Sequence, residues 1–248
     1  MKLLFLSALL PIVGLAIAVI WLGGRQRQHL AKRESQWRAD AAERGWTFDR
    51  LTEGAFELMR WQGTTDGVAW TLEYRRGRHR SSGTSERAHR MRWTSKVFQG
   101  PSSPVLCIAM KKGQEQPALQ LAQGDGTLAT LARKVAGAAL DKTLDVYFGQ
   151  EAGRQIDARR LVPLPNVAQT GYLVMAEDLA SASHWLQGGP GAQLDKEANA
   201  PGSALFADEG RPWVLWVGTQ VMLANMRPVR DTHEVALLVS AGVALTKA

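Results

Sequence analysis

The chain has 248 residues, 45% of them hydrophobic, a single cysteine, and 30 Lys or Arg against 23 Asp or Glu, for a net charge of +7. That length accommodates a membrane segment plus one domain of about 200 residues, or two small domains, and a domain of that size buries a core without staples. A lone cysteine excludes an intramolecular disulfide, and Cys107, set in the apolar run PVLCIAM, reads as a small buried hydrophobe rather than a reactive thiol.

The first element is the strongest. Residues 3–24, LLFLSALLPIVGLAIAVIWLGG, carry no charge over 22 positions, enough for a helix across about 30 Å of hydrocarbon. Pro11 is tolerated in a membrane helix and Trp21 suits an interfacial position. A cleaved signal peptide is the competing reading, because Lys2 gives a charged start and Ala16-Ile17-Ala18 has the look of a cleavage site, but the apolar run continues past it into a basic cluster. Lys2 alone precedes the span, whereas Arg25, Arg27, Lys32 and Arg33 follow it, so the body of the protein is expected on the cytoplasmic side of an inner membrane. The layout of one anchor, one polar helix and a β-rich domain is common among bacterial inner-membrane proteins and carries no function by itself.

Residues 25–45 read as a polar juxtamembrane helix with acid-before-base pairs Glu34/Arg38 and Asp40/Arg44 and a terminal glycine. Its apolar stripe, Leu30, Trp37 and Ala41, is too thin for a coiled-coil assignment. From Trp46 the period changes to two. Strands are expected at 55–62 and 68–75 around Thr-Thr-Asp-Gly, a hairpin signal, then at HRMRWTSKVF and PVLCIAMKK.

Between the second and third of these strands lies RRGRHRSSGTSERAHRMRWTSK, residues 75–96, with eight Arg or Lys against Glu86 alone. Its serines and glycines predict an exposed, mobile loop, and its Arg75, Arg76, Arg78, Arg80, Arg87, Arg90 and Arg92 are the candidate contacts for an anionic partner.

Further on, GDGTLATLARKVAGAALDKTL predicts an amphipathic helix behind Asp125 or Thr127, and residues 149–170 look irregular apart from a short strand at 160–164. A strand at 172–176 runs into a helix stopped by Gly188-Gly189-Pro190-Gly191, and a second hairpin is expected to turn at 208–212. The chain closes in a helix opened by Asp231 and Glu234 and apolar nearly all round from Val235 to Leu245, too short to span a bilayer and so a core helix. The class is α+β, an antiparallel sheet with helices packed on one face, over 46–248, with two similar halves (46–148 and 149–248) as a further possibility.

None of the five histidines (29, 79, 89, 184, 233) has metal-ligand spacing to another or to Cys107, and no phosphate-binding glycine loop, serine-nucleophile elbow or zinc-protease motif occurs, so no metal or cofactor is implied. Glu177-Asp178 and Asp208-Glu209 sit where carboxylates cap helices and fill turns. The tryptophans at 61, 70, 93, 213 and 216 fall in expected strands, which favours core packing over a stacking platform. These features predict a single-pass membrane protein with a cytoplasmic interaction or sensory module, whose basic segment is either a solvated loop that keeps the surface soluble or a contact for anionic lipid. Nucleic acid is the weaker partner, and a membrane-tethered enzyme is the alternative.

Overall fold

The computed structural model describes residues 32–54, 56–77, 89–97, 99–109, 139–164, 172–199 and 211–248. The expected anchor at 3–24 and most of the amphipathic helix expected from 125 lie outside them. Among the described residues, no helix is long and apolar enough to cross a membrane.

The chain divides into two compact units, residues 1–45 and 46–248. In the first, helix α1 (32–43) carries the expected Glu34–Arg38 pair at 3.5 Å, the Arg33 guanidinium lies 4.9 Å from the Trp37 ring centroid, and Gly45 ends the segment at φ 71°. A left-handed residue just past a helix costs a glycine little, because it has no Cβ.

The second unit is built on one antiparallel nine-strand sheet in the order β1-β2-β3-β4-β9-β8-β5-β7-β6. The strands are β1 (Thr47–Glu53), β2 (Phe56–Thr65), β3 (Val68–Gly77), β4 (His89–Lys96), β5 (Val105–Ala109), β6 (Val162–Pro163), β7 (Tyr172–Ala176), β8 (Trp213–Val217) and β9 (Gln220–Asn225). Helices α2 (139–148), α3 (Gln150–Gly153), α4 (Leu179–Gln187), α5 (Pro190–Asn199) and α6 (Thr232–Lys247) complete the described residues.

The Asp-Gly hairpin forms as expected, with Asp66 at φ 50° and Gly67 at φ 81°, both in the left-handed region that a two-residue turn of matching twist requires. Strand β1 was not expected: it is an edge strand, Phe48 is its one buried residue, and so it lacks an apolar alternation. A hairpin turns at Gly218-Thr219, whereas most of the turn expected at 208–212 lies outside the described residues. Gly218 has φ 55°, and both arms lie within WVLWVGTQVMLAN, where an uninterrupted apolar run hides the turn. The Gly188-Gly189 stop is real, and Pro190 then opens α5, since a first helical residue needs no N–H. At α6, Asp231 accepts from the Glu234 amide at 3.0 Å while the Glu234 carboxylate accepts from the Arg230 amide at 2.7 Å, so the reciprocal cap reaches one residue further back than a simple capping box.

Helices cover both faces of the sheet, not one. Successive residues of a strand point to opposite sides. In β4, Trp93 packs on α6, where a Cβ added to Gly242 would sit 2.5 Å from three atoms of its indole, whereas Arg92 on the other side donates to the Phe148 carbonyl at the end of α2. Beneath α2 and α3, Leu144, Phe148, Ala152 and Ile156 bury Leu106, Leu215 and Met222. On the α6 side, Trp61, Leu72, Trp93 and Trp216 are completely buried, and Cys107 is buried in the same sheet.

Candidate functional site

The structure redraws the basic segment. Arg75 and Arg76 belong to β3, and Arg90 and Arg92 to β4, so these four are not loop residues; Arg78, Arg80 and Arg87 lie outside the described residues. The strands persist through so much charge because carboxylates stand opposite it.

Two arginine–glutamate–arginine bridges cross the sheet, one on each face. On the α6 face, Glu57 of β2 accepts from Arg50 of β1 at 2.8 Å on one oxygen and from Arg76 of β3 at 2.6 Å on the other. On the α2 face, Glu73 of β3 takes both Nε and Nη2 of Arg60 on one oxygen, at 3.1 and 2.7 Å, and Arg92 of β4 on the other at 2.6 Å. Burial pushes both carboxyl groups up, but the flanking guanidinium groups outweigh it and hold each below the ordinary range. Cross-strand register makes the second bridge part of a row of alternating sign, Asp49–Arg60–Glu73–Arg92.

The adjacent row on the same face breaks this pattern. Leu51, Leu58, Arg75 and Arg90 stand directly opposite one another on β1, β2, β3 and β4. Two like charges therefore face each other across β3 and β4, an arrangement that costs stability unless an anion intervenes. The Arg75 guanidinium lies over Phe56, its Cζ 3.7 Å from the ring centroid, and its Nε is buried without a hydrogen-bond partner among the described residues. Arg90 donates to the Val146 carbonyl, at 3.5 Å, near the end of α2, where partial negative charge collects. Burial, and then the neighbouring Arg92 and Arg75, lower its pKa to about 10, so it remains charged at neutral pH. Among the described residues neither Arg75 nor Arg90 has a carboxylate in contact.

Of the four candidate arginines among the described residues, Arg76 and Arg92 hold the sheet together. Arg75 and Arg90 lack a carboxylate in contact among the described residues and lie on the same face as the half-buried Phe56 and the exposed Leu51.

Two further groups come together only in the structure, although the sequence shows Glu177 of the second as half of an acidic pair. The Tyr74 hydroxyl lies 2.6 Å from His89 Nδ1 with the two rings parallel, and burial, then Arg76, lowers the His89 pKa. A polar cleft of about 750 Å³ is lined by Asp141, Asp145, Asp157, Glu177, Arg154 and Arg160 among others. Three of its carboxylates already have local partners: Asp141 accepts from the Ala158 amide, Asp157 from the Arg159 amide, and Glu177 pairs with Arg160 at 3.5 Å. Among the described residues, no three His, Cys, Asp or Glu side chains are grouped to hold a metal ion. No known protein family, curated protein or solved structure matches this chain.

Proposed function

We propose that the protein is a single-pass inner-membrane protein whose 46–248 domain lies in the cytoplasm and serves as an interaction or sensory module, touching anionic lipid with the cationic corner of its sheet. The observation that carries this reading is the Arg75–Arg90 pair, two half-buried cations placed opposite each other without a carboxylate in contact among the described residues. Like charges directly opposite on neighbouring strands are destabilising, and an external anion shared between them would relieve that. The membrane half of the reading rests on the uncharged run at 3–24 and on the excess of positive charge at 25–33 over Lys2. Anionic head groups attract such a surface by about 1 kcal/mol for each Lys or Arg that nears them, within a Debye length of about 8 Å.

Topology is the first test. A fluorescent protein fused to the C-terminus should glow, and a reporter active only in the periplasm should stay silent; the reverse pattern would place the domain outside and end the reading. The tethered-enzyme alternative has one observation in its favour, the cleft that gathers Asp141, Asp145, Asp157 and Glu177, but the local partners of three of these carboxylates give it less support than the arginine pair gives to binding.

A further inference from the structure

We infer that Arg75 and Arg90 form a discrete site for the phosphate of one anionic phospholipid, an assignment that rests on the membrane reading above and narrows it from a diffuse basic surface to two side chains.

The sheet itself shows how it treats an anion. One row away, the Glu73 carboxylate bridges Arg60 and Arg92 across the strands, with one oxygen given to each arginine. Arg75 and Arg90, by contrast, stand directly opposite each other on adjacent strands, with no carboxylate-bearing strand between them. A phosphate suits such a pair, because its several oxygens can be shared between two guanidinium forks, a geometry that arginine matches better than lysine.

Arg75 is also held ready. Stacking on Phe56 fixes its plane, so little side-chain freedom remains to be lost on binding. Arg90 gives one Nη1 donor to the Val146 carbonyl, and its other donors have no carboxylate partner among the described residues.

The neighbours favour a lipid over a soluble phosphate. The half-buried Phe56 shares the face of Arg75, and Leu51, at the far end of the same row, is 40% exposed, one of the few large apolar side chains so exposed among the described residues. Cations edged by accessible apolar surface match a head group joined to acyl chains.

The test uses the full chain purified in a mild non-ionic detergent and offered phosphatidylglycerol and phosphatidylcholine in equal amounts, with retained lipid counted by native mass spectrometry. One phosphatidylglycerol should be retained in preference to phosphatidylcholine. Arg75→Gln and Arg90→Gln should each lower that retention by about five- to tenfold, Arg75→Lys should restore part of it, and Lys196→Gln, at an exposed cation on α5, should leave it unchanged. Should Arg90→Gln fail to fold, Arg75→Gln decides alone, since its guanidinium makes no ion pair among the described residues. Preference for phosphatidylglycerol that survives both substitutions would overturn this site and leave the membrane reading standing. Displacement of the lipid by inorganic phosphate would assign the site to a soluble ligand and overturn the lipid. A parent protein with no preference between the two lipids would sink both.

Discussion

In β3 the run WTLEYR alternates buried Trp70, Leu72 and Tyr74 with half-buried Thr71, Glu73 and Arg75, whereas in β8 and β9 nearly every residue of WVLWV and QVMLAN is buried. These strands share one sheet and one hydrogen-bonding ladder. The difference lies in what covers them. Over β5, β8 and β9 the α6 face carries packed side chains such as Val214 and Trp216, and on the reverse α2 and α3 press on Leu106, Leu215 and Met222, so both faces must be apolar. Over β2–β4 the α2 face carries charge, and the strands hold together there through the Arg60–Glu73–Arg92 bridge. One half of the sheet is thus optimised for packing. The other stores charge, and Arg75 and Arg90 show that it is not all spent internally.

The comparison would break most visibly at Trp93, which is wholly buried under Gly242. Trp93→Ala should cost about 3–5 kcal/mol, read as a shift of the denaturant midpoint in the full chain. A loss below about 1 kcal/mol would mean that α6 does not seal this face.

Glu73→Gln sharpens it next, because the change strips a carboxylate from between two partly buried arginines. The expected cost is about 2 kcal/mol, between an exposed pair and a fully buried one. The same residue predicts a pH dependence. Glu73 titrates below its ordinary value of 4.5 in the folded protein, so its stabilisation is complete above about that pH and is lost as pH falls through the lower folded value. The Gln variant should lose that part of the acid slope, while Glu57, lowered in the same direction by Arg50 and Arg76, keeps the remainder.

These bridges mark where sequence reading stopped. The alternation in β2, β3 and β4, the Asp66-Gly67 turn and the α6 cap were legible because each is a local pattern. Counting outward from the Thr65–Val68 pair places Arg60 opposite Glu73 and Glu57 opposite Arg76, so the turn alone held the information that those charges are paired. The pairing of Glu73 with Arg92 depends on how β4 returns after residues 78–88, and no local pattern fixes that register. Strand β1 was hidden because a solvent-facing edge needs few apolar residues. Helices on both faces were hidden because a continuous apolar run reads alike whether one helix layer or two cover it.

A smaller effect is expected at Asp231, whose carboxylate caps α6. Asp231→Ala should cost about 1 kcal/mol with no change in lipid retention, which separates the packed half from the charged one.

The smallest effect on stability carries the most weight. Arg75 stacks on one ring, makes no ion pair among the described residues and faces a like charge, so Arg75→Gln should change stability by no more than about 0.5 kcal/mol, with any gain coming from relief of Arg90. Thermal unfolding of the full chain and of Arg75→Gln, each with and without phosphatidylglycerol in the detergent, tests this directly. The account predicts equal midpoints without lipid and a lipid-dependent rise in the parent alone. A variant that melts early without lipid, or that gains as much from the lipid as its parent, would contradict it.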